Sequence, residues 1–196
     1  MAFRPEEGRT LASYARSVIA EALGGRRAIE PEGEIYEALG ATFVTLKSGS
    51  MLRGCIGTLE AHAPLRADVA RNARAAAFED PRFHPVRELE LEELSVEVSV
   101  LSARERIAFL DEPSAIAALR PGVDGVVLRH GRHRGTFLPQ VWDELPEPAR
   151  FLSELKRKAA LPRDFWAPGI ELERYTVVKF VDLPAQPPAR KDAYPS

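Results

Sequence analysis

The chain is poor in cysteine. Cys55 is the single one in 196 residues, so no intrachain disulfide can form and no thiolate zinc cage can be built. Histidine is scarce as well, with four: His130 and His133 lack a nearby carboxylate, and His62 and His84 stand far apart, so no metal site is expected. No apolar run approaches the roughly 20 residues of a membrane-spanning helix. The first residues, Met1-Ala2-Phe3-Arg4-Pro5-Glu6-Glu7, lack the apolar stretch of a secretory leader. A reduced, cytoplasmic setting without a membrane is the expectation. Charge of one sign is also missing. Lys+Arg total 27 and Asp+Glu 29, for a formal charge of -2, so nucleic acid is not expected as a main partner. The phosphate loop GxxxxGK[ST], the dinucleotide GxGxxG, HExxH and the GxSxG elbow are all absent.

What is present is globular. Hydrophobic residues make up 45% and charged ones 29%, enough for a sizeable core. Thr10 to Leu23 carries an apolar stripe capped by Thr10 and ended by Gly24-Gly25, and predicts a helix. Ala41–Lys47 and Met51–Leu59 read as strands joined by a Ser48-Gly49-Ser50 turn, hence a hairpin. Pro64 opens a helix to about Phe78, whose many alanines imply close packing on a sheet. Leu94–Leu101 alternates apolar and polar residues as a strand does. Ser114–Leu119 predicts a short helix, Gly125–His130 and Gly135–Val141 a second hairpin, Glu147–Leu161 a helix and Ile170–Val181 a last strand. Two hairpins and no strict helix–strand alternation predict an α+β fold: a mainly antiparallel sheet flanked by helices.

Five segments could carry chemistry. In Leu52-Arg53-Gly54-Cys55-Ile56-Gly57-Thr58 a strand holds two glycines around the thiol, where a bulge, a ligand or another backbone comes close. Strand alternation puts Arg53, Cys55 and Gly57 on one face, and an arginine beside a thiol favours the reactive thiolate. Cys55 is therefore either a nucleophile in an open notch or a small buried thiol, and the residues alone favour the second. In Phe78-Glu79-Asp80-Pro81-Arg82-Phe83-His84-Pro85, Asp80 can orient Arg82 or His84, and His84 can act as acid or base; a proline-set connector with Asp80 as a cap explains the segment equally well. Glu97, between Ser95 and Ser99, is a candidate base if its face is covered and a solvated residue if not. Arg129-His130-Gly131-Arg132-His133-Arg134 is a basic hairpin tip that could dock phosphate or RNA, with a solvated tip as the plainer account. Pro139 implies an edge or bulge that displays Gln140 beside Trp142.

Taken together these segments resemble a known family. Leu52-Arg53-Gly54-Cys55-Ile56-Gly57 is similar to the signature hexapeptide of the AMMECR domain proteins, whose microbial members are called AmmeMemoRadiSam system protein A. Asp80-Pro81-Arg82-Phe83, Val96-Glu97-Val98-Ser99-Val100-Leu101, Gly122-Val123-Asp124-Gly125-Val126, Phe137-Leu138-Pro139-Gln140-Val141 and Leu155-Lys156-Arg157-Lys158-Ala159 follow in the family's order. The resemblance spans residues 10–183 as one domain of two lobes, and the Pro/Ala/Lys-rich stretch 184–196 is expected to be a mobile tail. One departure is Ala160, where many relatives would carry glycine.

The resemblance implies a larger and a smaller lobe with a cleft between them, and the hexapeptide near it. It implies a Memo-like protein and a radical SAM protein as partners. It supplies no reaction and no cofactor. The reading that follows is a cytosolic component of that system with a ligand- or substrate-binding cleft. Arg53, Gly54, Gly57, Asp80, Arg82 and Gln140 would line it, and Cys55, His84 and Glu97 are the catalytic candidates if chemistry occurs there. The alternatives are a non-catalytic interaction module whose glycine notch accepts a partner strand and, more weakly, an RNA-binding protein.

Overall fold

The computed structural model describes residues 3–184. Pro5 opens helix α1 (Pro5–Ala22), five residues ahead of the predicted start. Proline suits the first helical turn, and the Glu7 carboxylate accepts the Arg4 backbone N–H at 2.8 Å. Thr10, predicted as the cap, lies inside the helix and returns its hydroxyl to the Glu6 carbonyl at 2.9 Å. The end falls where expected. Gly24 takes φ 94°, and Gly25 N–H reaches back to the Ala20 carbonyl at 2.9 Å, which closes the last turn. A short helix α2 (Glu34–Glu37) and strand β1 (Leu39–Gly40) lead into the hairpin of β2 (Thr42–Ser48) and β3 (Met51–Gly57), which turns at Gly49 with φ 59°. Strand β4 (Ala63–Pro64) runs into α3 (Leu65–Phe78); a one-turn α4 (Glu88–Leu91) then precedes β5 (Leu94–Leu101).

Strand β6 (Glu105–Arg106) and α5 (Glu112–Ala117) come next. Strands β7 (Gly125–His130) and β8 (His133–Phe137) form the second hairpin. Strand β7 has the expected bounds, while β8 starts two residues earlier than the sequence implies, because Gly131 at φ 56° permits a tight turn, and stops short of Val141. Pro139 cannot donate to a ladder, and Pro139–Asp143 winds into a 3-10 turn instead. Helix α6 (Pro148–Lys158) ends at Ala160, the one described non-glycine residue with positive φ, 58°. The predicted final strand is two: β9 (Glu171–Tyr175) and β10 (Val177–Asp182). The break is at Thr176, whose N–H bonds the Ser102 hydroxyl at 2.9 Å while its carbonyl accepts the Ser102 N–H at 2.9 Å. The two halves thus serve different sheets.

The fold is α+β, with six helices and three mostly antiparallel sheets among the described residues. The described residues divide into two compact units, 3–100 with 179–184, and Leu101–Val178. The first holds the sheet β10-β5-β2-β3 and the small β1-β4 pair. Val44, Leu46, Val96 and Val98 point from that sheet into a core filled by Leu11, Ala15 and Ile19 of α1 and Val69, Ala73 and Ala76 of α3. Each fully buried valine or leucine stabilises the unit by ~2 kcal/mol. The second unit orders its sheet β6-β9-β7-β8. There α6 lays Phe151, Leu152 and Leu155 on Val126, Leu128 and Leu172, with Trp142 stacked 3.7 Å from Phe151. The tail predicted from 184 lies, beyond Pro184 itself, outside the described residues.

Candidate functional site

The two glycines around Cys55 have structural reasons. A Cβ on Gly54 would sit 2.2 Å from the Ala76 carbonyl oxygen, so the backbone of α3 rests directly on β3. The alanines of α3 and this glycine are two sides of one close contact. A Cβ on Gly57 would meet the Phe43 ring at 2.3 Å and the Thr42 carbonyl at 2.5 Å. Neither glycine leaves an open notch.

Arg53 does not share the face of Cys55. Leu46 pairs with Gly54 and Lys47 with Leu52, so Arg53 is the extra residue of a bulge and drops out of the two-residue alternation. Its guanidinium turns to α4: Nε donates to Glu90 at 3.0 Å, and Nη2 to Glu90 at 3.2 Å and the Pro85 carbonyl at 3.4 Å. Arg53 Nη1 is buried without an acceptor. The Arg53 pairing, with the Arg87 N–H behind it, holds Glu90 below the usual carboxylate range.

The arginine at Cys55 is Arg82. Strand β3 is a sheet edge, and Cys55 lies opposite Thr45 with its amide and carbonyl turned away from β2. Asp80, with its side chain only 2% exposed, accepts the Cys55 N–H at 2.8 Å. Arg82 donates from Nη2 to the Cys55 carbonyl at 3.2 Å, and to Asp80 from Nε at 2.9 Å and Nη2 at 2.7 Å. An acid–base pair two residues apart therefore caps both outward groups of one edge residue. Hydrogen bonds from the Arg82 side chain, with those from the Cys55 and Arg82 amides, hold the Asp80 carboxyl far below its ordinary 3.8, and the same pairing raises Arg82. Asp80 is thus a fixed anion and has no use as a proton carrier. A partner strand cannot pair at Cys55 unless it displaces this ion pair, which removes the edge-pairing route at that residue.

The thiol itself is half-buried and accepts the Thr45 hydroxyl at 3.3 Å. Thr45 pairs in turn with Glu97, so Cys55, Thr45 and Glu97 form one row across three strands. Glu97 is held by Lys47 at 3.4 Å and Lys179 at 3.5 Å. His84 is exposed and makes no hydrogen bond to the thiol. The three catalytic candidates therefore do not converge: among the described residues no histidine or carboxylate is hydrogen-bonded to the sulfur.

What does converge is a cleft of about 530 Å³ in the first unit, lined by Arg53, Pro81, Arg82, Phe83, His84, Pro85, Arg87 and Glu90. Cys55 and Asp80 stand behind its wall, joined to it through Arg82. Gln140 belongs to the other unit, exposed on the 3-10 turn, while its neighbour Trp142 is buried and donates to the Asp124 carbonyl at 2.7 Å. The basic tip is partly spent on folding: His130 packs edge-on against Phe165 at 5.0 Å, and His133 Nδ1 lies 3.1 Å from the Ala159 carbonyl. Among the described residues no group of three His, Cys, Asp or Glu side chains could hold a metal ion, and no helix is long and apolar enough to cross a membrane.

Sequence reasoning passed over a buried polar knot next to the hexapeptide. Asp68, fully buried on α3, accepts the Thr42 N–H at 2.9 Å, the Thr42 hydroxyl at 2.7 Å and the Thr58 hydroxyl at 2.7 Å, and pairs with Arg71. Asn72 donates to the Thr42 carbonyl at 3.0 Å and to Asp68 at 2.9 Å. The knot ties α3 to β2 and to Thr58, the residue after β3. Its signal was legible: Asp68 and Asn72 interrupt the inward stripe of Leu65, Val69, Ala73 and Ala76 at helical spacing.

Comparison with known proteins places this geometry. Residues 12–180 match the AMMECR1 family along most of their length. The chain belongs to the AMMECR1 family. Protein LS215_2104 of Saccharolobus islandicus is 38% identical over 188 residues, covering 89% of this chain and 81% of that one. Protein MJ0810 of Methanocaldococcus jannaschii is 35% identical over 187 residues, covering 91% of each. The crystal structure of PH0010, an uncharacterised protein of Pyrococcus horikoshii, shares the fold with a TM-score of 0.79 at 34% identity, over 94% of this chain and 96% of that chain. In this AMMECR1-family chain the segment 52–57 sits on a sheet edge, with its glycines pressed by α3 and Phe43 and its cysteine backbone capped by Asp80 and Arg82.

Proposed function

We propose that this AMMECR1-family chain is the ligand-binding member of a cytosolic set with a Memo-like protein and a radical SAM protein, and that its ligand occupies the cleft of Arg53, Arg82 and His84. The partners come from the family resemblance. The cleft rests on one observation: the buried Asp80 carboxylate fixes Arg82 against Cys55 while leaving the arginine side chain 53% exposed at the cleft wall. A guanidinium held by its own protein and still open to solvent is a preorganised donor, since little side-chain freedom is lost when it binds. The contacts of the thiol favour binding over covalent catalysis. Its hydroxyl partner, Thr45, cannot take up a proton at neutral pH, and among the described residues no histidine or carboxylate is hydrogen-bonded to the sulfur to act as its base.

Two measurements test the reading. Co-purification with the Memo-like and radical SAM proteins should yield a complex, and the absence of one at micromolar concentration would count against membership. Cys55→Ser should keep complex formation and ligand binding. If Cys55→Ser abolishes a turnover that wild type shows, while the fold is intact, the thiol is a nucleophile and the binding-only reading falls.

A further inference from the structure

The lining of this cleft also specifies what it takes. We propose that it binds a small organic anion: a carboxylate or phosphate head on the arginines, with a flat apolar body against Phe83 and the flanking prolines. This rests on the reading above that the cleft is the ligand site. Three arginines, Arg53, Arg82 and Arg87, meet there with two carboxylates, Glu90 in the lining and Asp80 behind it. Glu90 is taken by Arg53 and Asp80 by Arg82, each through two guanidinium nitrogens. Arg87 is left over, exposed and outside any ion pair among the described residues. The cleft therefore carries one positive charge in excess, with His84 beside it.

One observation adds to the charge count. The Arg82 guanidinium lies 5.4 Å from the centre of the Phe83 ring, so a cationic plane and an aromatic face stand side by side. That pairing suits a ligand with an anionic end and a flat apolar end. Pro81 and Pro85 hold the backbone on either side, which limits the ordering cost of binding. The volume fits a molecule of metabolite size.

The experiment is an NMR titration of the full chain with phenyl phosphate, benzoate, inorganic phosphate and benzyl alcohol. Phenyl phosphate or benzoate should shift the amides of residues 81–87 and bind more tightly than inorganic phosphate, and benzyl alcohol should not compete. Arg87→Gln, an exposed change that leaves both ion pairs intact, should weaken the aromatic anion roughly fivefold to tenfold, the effect of losing one charge-assisted contact. Equal binding of benzyl alcohol in the cleft, or an unchanged affinity in Arg87→Gln, overturns the anion assignment and leaves the cleft as ligand site. Shifts confined to other parts of the chain, or none at 10 mM of any probe, overturn both. An acidic peptide that binds the same amides far more tightly than phenyl phosphate would replace the small molecule by a partner segment.

Discussion

Removing the Asp80 carboxylate tests the central contact of the site. The carboxylate accepts four hydrogen bonds, from Cys55 N at 2.8 Å, Arg82 N at 3.1 Å, Arg82 Nε at 2.9 Å and Arg82 Nη2 at 2.7 Å. In Asp80→Ala the Cys55 amide loses its acceptor on a half-buried edge, at a cost of ~1–3 kcal/mol. The guanidinium bonds add less, ~0.5–1 kcal/mol, because Arg82 is half exposed and water replaces them. The total is ~1.5–4 kcal/mol. Asp80→Asn keeps an oxygen for the Cys55 amide and should cost about half as much. Arg82→Ala should cost ~1 kcal/mol, since the carboxylate still holds both amides. The assay is urea unfolding followed by far-UV circular dichroism, with amide exchange at Cys55 alongside; tryptophan emission is unsuitable because Trp142 and Trp166 both lie in the other unit. The reasoning is refuted if Asp80→Ala lies within ~0.5 kcal/mol of wild type and Cys55 exchanges no faster.

Other outcomes follow from the same geometry. Because Arg82 depresses the Asp80 carboxyl below 3.8, the pair contributes its full stability above that unfolded-state value and loses it only as pH falls further. The Cys55 amide resonance should thus show no carboxylate inflection between about pH 7 and about pH 4; a midpoint near 4 would mean an unpaired Asp80. Gly54→Ala drives a methyl into the Ala76 carbonyl and should cost ~3 kcal/mol, whereas Gly49→Ala, at φ 59° in open space, should cost only ~1 kcal/mol of backbone strain. Equal costs in the two variants would mean that α3 does not press on the strand. Ala160→Gly should stabilise the protein by ~0.5–1 kcal/mol, read from the denaturation midpoint. Leu161 N–H bonds the Lys156 carbonyl and Ala160 N–H that of Arg157, the same helix-ending geometry that Gly24 and Gly25 give α1, but with a methyl at φ 58°. No gain, or a loss, would show that Ala160 is unstrained.

Much of the fold was legible along the chain because its causes are local. Alternation wrote β5 residue by residue, Gly49 and Gly131 marked the hairpin turns, and the alanines of α3 announced close packing on a strand. The resemblance singled out Ala160, and its positive φ explains why glycine would be the easier residue there. The errors came where local preference met a longer-range demand. Ile170–Val181 reads as one strand because every residue in it tolerates extension, yet the exchange of hydrogen bonds between Thr176 and Ser102 splits it between two sheets. The strand through Val141 failed at Pro139, a missing donor that the sequence displays but whose consequence depends on what the ladder needs.

The site divides in the same way. The lone cysteine, its two glycines, and the grouping of Asp80 with Arg82 were all marked by sequence, because residue type and spacing within one segment carry that information. Which arginine serves the thiol's strand was not. A bulge one residue long turns Arg53 to Glu90, and a loop 27 residues away brings Arg82 to the Cys55 carbonyl. The glycines looked like a notch only because Ala76 and Phe43, which fill the space beside them, are remote in the chain or across the hairpin. Composition and periodicity determined what each segment could become. Only the tertiary structure decided the partners of each charged group, because hydrogen bonds and ion pairs act over a few ångströms whatever the separation along the chain.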